Sequence, residues 1–120
     1  MSALIVARPG PLREGLRAAL AAACSIGSVR EADSSVVALE KAAQHENAPR
    51  LVLLSADGTV DQTLAEVEQI QGRWPMTRFI ILVDTVQQQQ MARAAGAGEV
   101  LVKGVRADEF LMRITELLHE

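Results

Sequence analysis

The chain has 120 residues, 49% of them apolar and 22% charged, a length and balance that fit one globular domain with a proper core. A net charge of −3 and a pI near 5.4 leave no electrostatic footprint for nucleic acid, and with no tyrosine, two phenylalanines and one tryptophan there are too few rings to stack on bases. A single cysteine excludes an internal disulfide, no apolar run approaches a membrane span, and the N-terminus lacks a basic-then-apolar signal, so the expected location is the cytoplasm.

The first apolar run, ALIV (3–6), reads as a strand, and Leu12, Leu16, Ala19, Leu20 and Ala23 then share one face of a helix. Cys24 closes that segment's alanine run as a small buried apolar residue. A second strand is expected at IGSV (26–29), then a helix with Val36, Leu39 and Ala43 inward and Asp33, Ser34 or Ser35 as its N-cap. LVLL (51–54) is the third strand. The third helix carries Leu64, Val67, Ile70 and Trp74, begins at Asp61 and stops before Pro75. FIILV (79–83) is the fourth strand, and the helix after it has the weakest pattern. Val86 and Met91 share no clean stripe, the four glutamines at 87–90 read as a solvated face, and Gly96 and Gly98 end it. VLV (100–102) is the fifth strand, and Phe110, Ile114, Leu117 and Leu118 mark the clearest amphipathic helix.

Strand and helix alternating five times predict an α/β fold in which a five-stranded parallel sheet is doubly wound by helices, as one domain over 1–120. Central strands covered on both sides explain the unbroken apolar runs. In such folds functional groups gather at the carboxyl edge of the sheet. The positions there are Ala7-Arg8, Ser55-Ala56-Asp57, Val83-Asp84 and Lys103-Gly104.

With those positions aligned, the chain resembles a response-regulator receiver domain, a flavodoxin-like (βα)5 fold, from the branch usually joined to a helix-turn-helix output. LIV…LREGLRAAL (4–20), EADSSVVALE (31–40), PRLVLLS (49–55), RWPMTRFIILV (73–83) and AAGAGEVLVKG (94–104) follow the family's wording in order. The resemblance implies phosphoryl transfer onto an aspartate ending the third strand. Two acids after the first strand hold Mg²⁺. A hydroxyl ending the fourth strand and a lysine after the fifth bind the phosphoryl oxygens, and an aromatic acts as the switch. Here the acidic pair falls on Ala7 and Arg8, the acceptor on Ser55, the hydroxyl on Val83 and the switch on Val100; only Lys103 matches.

The residue chemistry agrees with loss of the reaction. A serine hydroxyl without an adjacent base is a far weaker nucleophile than a carboxylate, and Mg²⁺ needs at least one or two carboxylates among its oxygen ligands. A guanidinium about 5 Å from Mg²⁺ would cost roughly 6 kcal/mol at an effective dielectric of 20. No metal and no cofactor are therefore expected. Arg8, Lys103, Asp57 and Asp84 sum to zero charge without a metal, which suggests that Arg8 takes its place by pairing with Asp57 and holding the loop after the third strand. Beside that stand plainer readings. Asp84 caps the following helix, Asp57-Gly58 is a turn dipeptide, Lys103 is an inherited but idle lysine, and Ser55 fills the acceptor's space and bonds to neighbouring backbone. His45 and His119 lie near helix ends among charged residues and offer no helical bundle for a phosphohistidine relay.

The expected function is that of an atypical (pseudo-)receiver, a phosphorylation-independent interaction module in bacterial signal transduction or transcriptional control, with no catalytic residue. The resemblance implies a homodimer or a partner signalling protein, often met through the fourth and fifth helices, and contact with DNA only through an output domain outside this chain. One alternative is a receiver that still responds to an anion or to phosphorylation on Ser55. Another is a small flavodoxin-like enzyme, although ARPGPLRE after the first strand has two prolines where a phosphate loop needs backbone donors.

Overall fold

The computed structural model describes residues 2–22, 27–44 and 47–118, the side chains at 42 and 43 excepted. The expectations for Ala23, Cys24, Ala43, His45 and His119 fall outside what is described. Five strands and five helices alternate: β1 (Ser2–Val6), α1 (Pro11–Ala21), β2 (Ser28–Ala32), α2 (Ser35–Ala43), β3 (Leu51–Ser55), α3 (Val60–Arg73), β4 (Arg78–Val83), α4 (Val86–Ala94), β5 (Val100–Val102) and α5 (Ala107–Leu118). The strands form one parallel sheet in the order β2-β1-β3-β4-β5, the doubly wound α/β architecture predicted. The order reverses at β1, so the crevice between the ends of β1 and β3 is the sheet's topological switch point.

Side chains alternate across the central strands, which is why their runs are apolar throughout. Ala3 and Ile5 of β1, Leu51 and Leu53 of β3, and Ile80 and Leu82 of β4 pack with Leu16 and Leu20 of α1 and with Phe110 and Ile114 of α5. On the other side, Leu4, Val6, Val52 and Leu54 meet Ala38 of α2 and Ile70 and Trp74. Ile81, Val83 and Val100 meet Val60 of α3 and Ala92 of α4.

Three expectations need correction. β2 runs over Ser28–Ala32, not 26–29. It is an edge strand with only Ala32 fully buried, so polar residues enter it and an apolar run is a poor guide. Its Glu31 is held by α1 instead, paired with Arg13 at 2.7 Å and with Arg17. On α2, Val36 is 63% exposed and Ala38 takes the core position, with Val37 and Leu39 partly buried beside it. Ser34 is the residue whose hydroxyl accepts from Val37 N at the start of that helix. On α3 the N-cap is Thr59, two residues before Asp61, and Thr59 and Gln62 form a complete capping box.

Candidate functional site at the carboxyl edge of the sheet

Four loops converge where β1, β3, β4 and β5 end, and the strand ladder sets their spacing. Ala56 N donates to Leu82 O at 2.8 Å and Lys103 N to Val83 O at 2.7 Å, which fixes the ends of β3, β4 and β5 side by side. Just past Lys103 the backbone turns through Gly104 at φ 90°, a conformation that favours glycine, and Val105 N closes the turn on Val102 O.

Lys103 lies at the centre of the site. Its side chain is 20% exposed, and its ammonium stands 3.0 Å from Asp84 Oδ1, 3.2 Å from Ala56 O and 3.5 Å from Asp57 Oδ1. It joins the loop after β3 to the loop after β4 and is not idle. Asp84 is correspondingly not the cap of α4. Thr85 is: its hydroxyl accepts from Gln88 N, and Gln88 Oε1 accepts from both Asp84 N and Thr85 N. The backbone N–H of Asp84 is thus satisfied by Gln88, which leaves its carboxylate for the lysine.

Arg8 meets Asp57 at 3.6 Å through Nε, so the four charged groups form one chain, Arg8–Asp57–Lys103–Asp84. The Arg8 side chain is 78% exposed, however, and the contact is single and long, so it adds little rigidity to the loop. Holding that loop falls to Lys103 rather than to Arg8. Ser55 is half-buried and lines a cleft of about 190 Å³ with Arg8, Asp57, Asp33, Ser34 and Glu66. Among the described residues its hydroxyl makes no hydrogen bond, contrary to the expected backbone contact. Ala7, Val83 and Val100 are all buried and apolar, so these three positions bring no polar side chain to the site.

The donor set does not suit Mg²⁺. Where the resembled family has two acids there are a methyl group and a guanidinium, Asp57 and Asp84 are ion-paired with Lys103, and Asp33 is ion-paired with Arg13. Among the described residues no group of three His, Cys, Asp or Glu side chains is placed to hold a metal ion.

Two residues of the glutamine run have structural work that the sequence reading assigned to solvent. Gln88 completes the Thr85 capping box, and Gln89 Nε2 donates to Val100 O at 2.7 Å, fastening α4 to edge strand β5. The signal for Gln88 is present in the sequence: threonine followed three positions later by glutamine occurs at Thr59 and again at Thr85. At its other end α4 closes as predicted by the glycines, with Ala97 N on Ala92 O, Gly96 N on Arg93 O and Gly96 at φ 102°.

No protein-family model matches the chain, and no curated protein matches it. Solved structures do. A response regulator from Thermotoga maritima aligns over 99% of this chain and 98% of its own at a TM-score of 0.80 and 20% identity. A CheY-like protein, tadZ, from Pseudomonas aeruginosa PAO1 aligns over 98% of both chains at 0.76 and 24%. A pilus assembly protein, CpaE, from Caulobacter crescentus CB15 aligns over 97% of both at 0.70 and 16%. The chain has the receiver-domain fold along its length.

Proposed function

We propose that this chain is an atypical receiver domain that works as a phosphorylation-independent protein-interaction module in bacterial signalling or transcriptional control, and not as an enzyme. The observation behind this reading is the engagement of Lys103. The lysine that in the resembled family would bind a phosphoryl group is committed here to Asp57, Asp84 and a backbone carbonyl, beside a serine at the acceptor position.

Two further features favour a surface fixed in one state. Val83 and Val100 are buried and have no hydroxyl with which to respond to an anion. The helix α4 is held at its start by Gln88 and to β5 by Gln89, so the part of a receiver that would shift is tied down within this chain. A ligand shifts a conformational equilibrium only through different affinity for its two states, and the buried Val83 and Val100 provide no polar contact that could differ between them. The domain would then act in the cytoplasm by presenting a surface to a second copy or a signalling partner, with DNA met only through an output domain elsewhere.

Incubation with a small-molecule phosphodonor and Mg²⁺, followed by intact mass and a thermal melt, tests this. An unchanged mass and melting point are expected. A mass gain of one phosphoryl group, or an anion-dependent rise in melting point abolished by Ser55→Ala or Lys103→Met, would replace the silent module with the anion-responsive receiver.

A second reading is favoured by the fold shared with the Caulobacter pilus assembly protein over 97% of both chains. On that reading the module serves inside a pilus assembly machine rather than in gene control. Co-purification of the tagged chain from its own cells separates the two, since a pilus component and a transcription complex would each identify themselves.

A further inference from the structure

The amino edge of the sheet, opposite the Lys103 site, carries a groove of about 460 Å³ lined by Pro49, Leu117 and Leu118 together with Met76, Arg50 and Arg78. The backbone around it is held in place. The buried Thr77 hydroxyl donates to Pro49 O at 2.7 Å, and Arg78 N donates to Arg50 O and Arg50 N to Ser2 O, each at 2.9 Å. Met76 follows Pro75 in the loop before β4 and is 89% exposed, beside two leucines that are almost fully buried. A methionine held out from a fixed loop over an apolar floor is a side chain suited to fit itself to a partner.

The groove is also cationic. No carboxylate lines it. Among the described residues the Arg78 side chain has no hydrogen bond or ion pair, and Arg50 gives one N–H to Leu118 O at 2.8 Å, a carbonyl rather than an acid. Elsewhere Arg8, Arg13, Arg17, Arg106 and Arg113 each meet a carboxylate of this chain. Glu68 and Glu99 line the neighbouring cavity that Arg78 also borders, and neither is ion-paired with it. In a chain of net charge −3, two arginines unanswered by acid are a local reversal of sign.

We infer that this groove receives an acidic segment of a partner protein, with an apolar side chain of the segment seated on Met76 and the two leucines and its carboxylates meeting Arg50 and Arg78. Charge selects the occupant. A guanidinium takes a carboxylate through two parallel N–H bonds, and Arg78 has its full set of donors to give. A second copy brought to this groove by a two-fold axis would set the same cations against each other. Inorganic phosphate would satisfy the arginines and leave Met76 uncovered.

The groove and the Lys103 site lie at opposite edges of the sheet. A domain that accepted phosphate could still bind a partner here, and a silent one could fail to, so each reading falls separately.

Amide NMR spectra of the isotope-labelled chain, titrated with a capped hexapeptide of two leucines between pairs of glutamates, test the inference. Shifts should centre on the amides of Arg50, Met76, Thr77, Arg78 and Leu118. Arg78→Gln should weaken binding about tenfold and Met76→Ser about fivefold. Peptides with lysine for glutamate, or serine for leucine, should bind at least about tenfold more weakly. Arg78 and Met76 are both exposed, so the variants should keep the fold, and an unchanged spectrum away from the groove checks this. Absence of shifts with the acidic peptide, or equal shifts with the lysine peptide, overturns the inference. Inorganic phosphate that shifts the same amides as strongly, with no loss in Met76→Ser, would make the groove an anion site and overturn it too. So would shifts of these amides on raising the concentration of the chain alone, which would make a second copy the occupant.

Discussion

Two loops bring a cation to Asp57, on different terms. From the β1–α1 loop, Arg8 reaches Asp57 Oδ2 at 3.6 Å with 78% of its side chain in solvent. From the end of β5, Lys103 approaches Oδ1 at 3.5 Å with only 20% exposed, and adds Asp84 and the Ala56 carbonyl. The two distances to Asp57 are nearly equal, so distance does not separate the two cations. Exposure and the number of partners do. Water screens the Arg8 pair and competes for both its members, whereas Lys103 is half-enclosed and also satisfies a main-chain oxygen of a buried residue.

The comparison is tested most severely by Lys103→Met, which keeps the apolar stem and removes the charge. The Ala56 carbonyl loses its donor, and Asp57 and Asp84 lose their shared cation. After solvent discounting of the two exposed carboxylates, the expected loss is about 2 kcal/mol, mostly from the unsatisfied carbonyl. Urea unfolding should show it as a lower midpoint with an unchanged slope. A loss below about 0.5 kcal/mol would mean that Lys103 is no more important than a surface lysine.

A middling effect is expected one layer out, at the glutamines that hold α4. Gln89→Ala removes the shorter of two side-chain hydrogen bonds to Val100 O on edge strand β5, leaving that from Arg93 at 3.4 Å, and should cost about 1 kcal/mol or less. Gln88→Ala removes the acceptor shared by Asp84 N and Thr85 N and should cost a similar amount, in line with loss of a cap. Hydrogen exchange sharpens the comparison. Amides of α4 and β5 should exchange faster in both variants while those of β1 and β3 stay as they were. Equal acceleration across the whole sheet would mean that the β4–β5 side is not separately fastened.

These positions also mark where the sequence was readable. β1, β3 and β4 follow from apolar runs because they are central strands covered on both faces, β5 follows although it is the other edge because Leu101 and Val100 are buried on its two faces, and α5 follows from Phe110, Ile114, Leu117 and Leu118 because all four are buried. β2 escapes that logic. At the edge, Arg30 and Glu31 are tolerated, and burial no longer dictates composition. Val36 misleads for a related reason: apolar spacing places residues on a common face without saying whether the core or the solvent receives it. At the site, the alignment of strand ends brought Arg8, Ser55, Asp57, Val83 and Lys103 to one edge, but it could not rank the cations. That ranking depends on exposure and on a backbone carbonyl, and neither has a sequence signature. Asp84 and Thr85 compete for the cap as neighbours, and only the threonine-to-glutamine spacing decides between them.

The smallest effect belongs to Arg8. An exposed ion pair contributes about 0.5 kcal/mol or less, and this one is a single 3.6 Å contact, so Arg8→Ala should leave the urea midpoint almost unmoved. The same variant sharpens the electrostatic argument in another way. If the Arg8 guanidinium helps keep Mg²⁺ away, removing it alone should still give no binding, because Ala7 supplies no ligand and Lys103 keeps both aspartates. Titration calorimetry with Mg²⁺ on Arg8→Ala should therefore be flat. A chain carrying Ala7→Asp, Arg8→Asp and Ser55→Asp together gains three carboxylates at this edge and should show heat of binding. Binding by Arg8→Ala alone would mean that a single exposed charge had been the barrier, and the weight placed on Lys103 would have to move back to the β1–α1 loop.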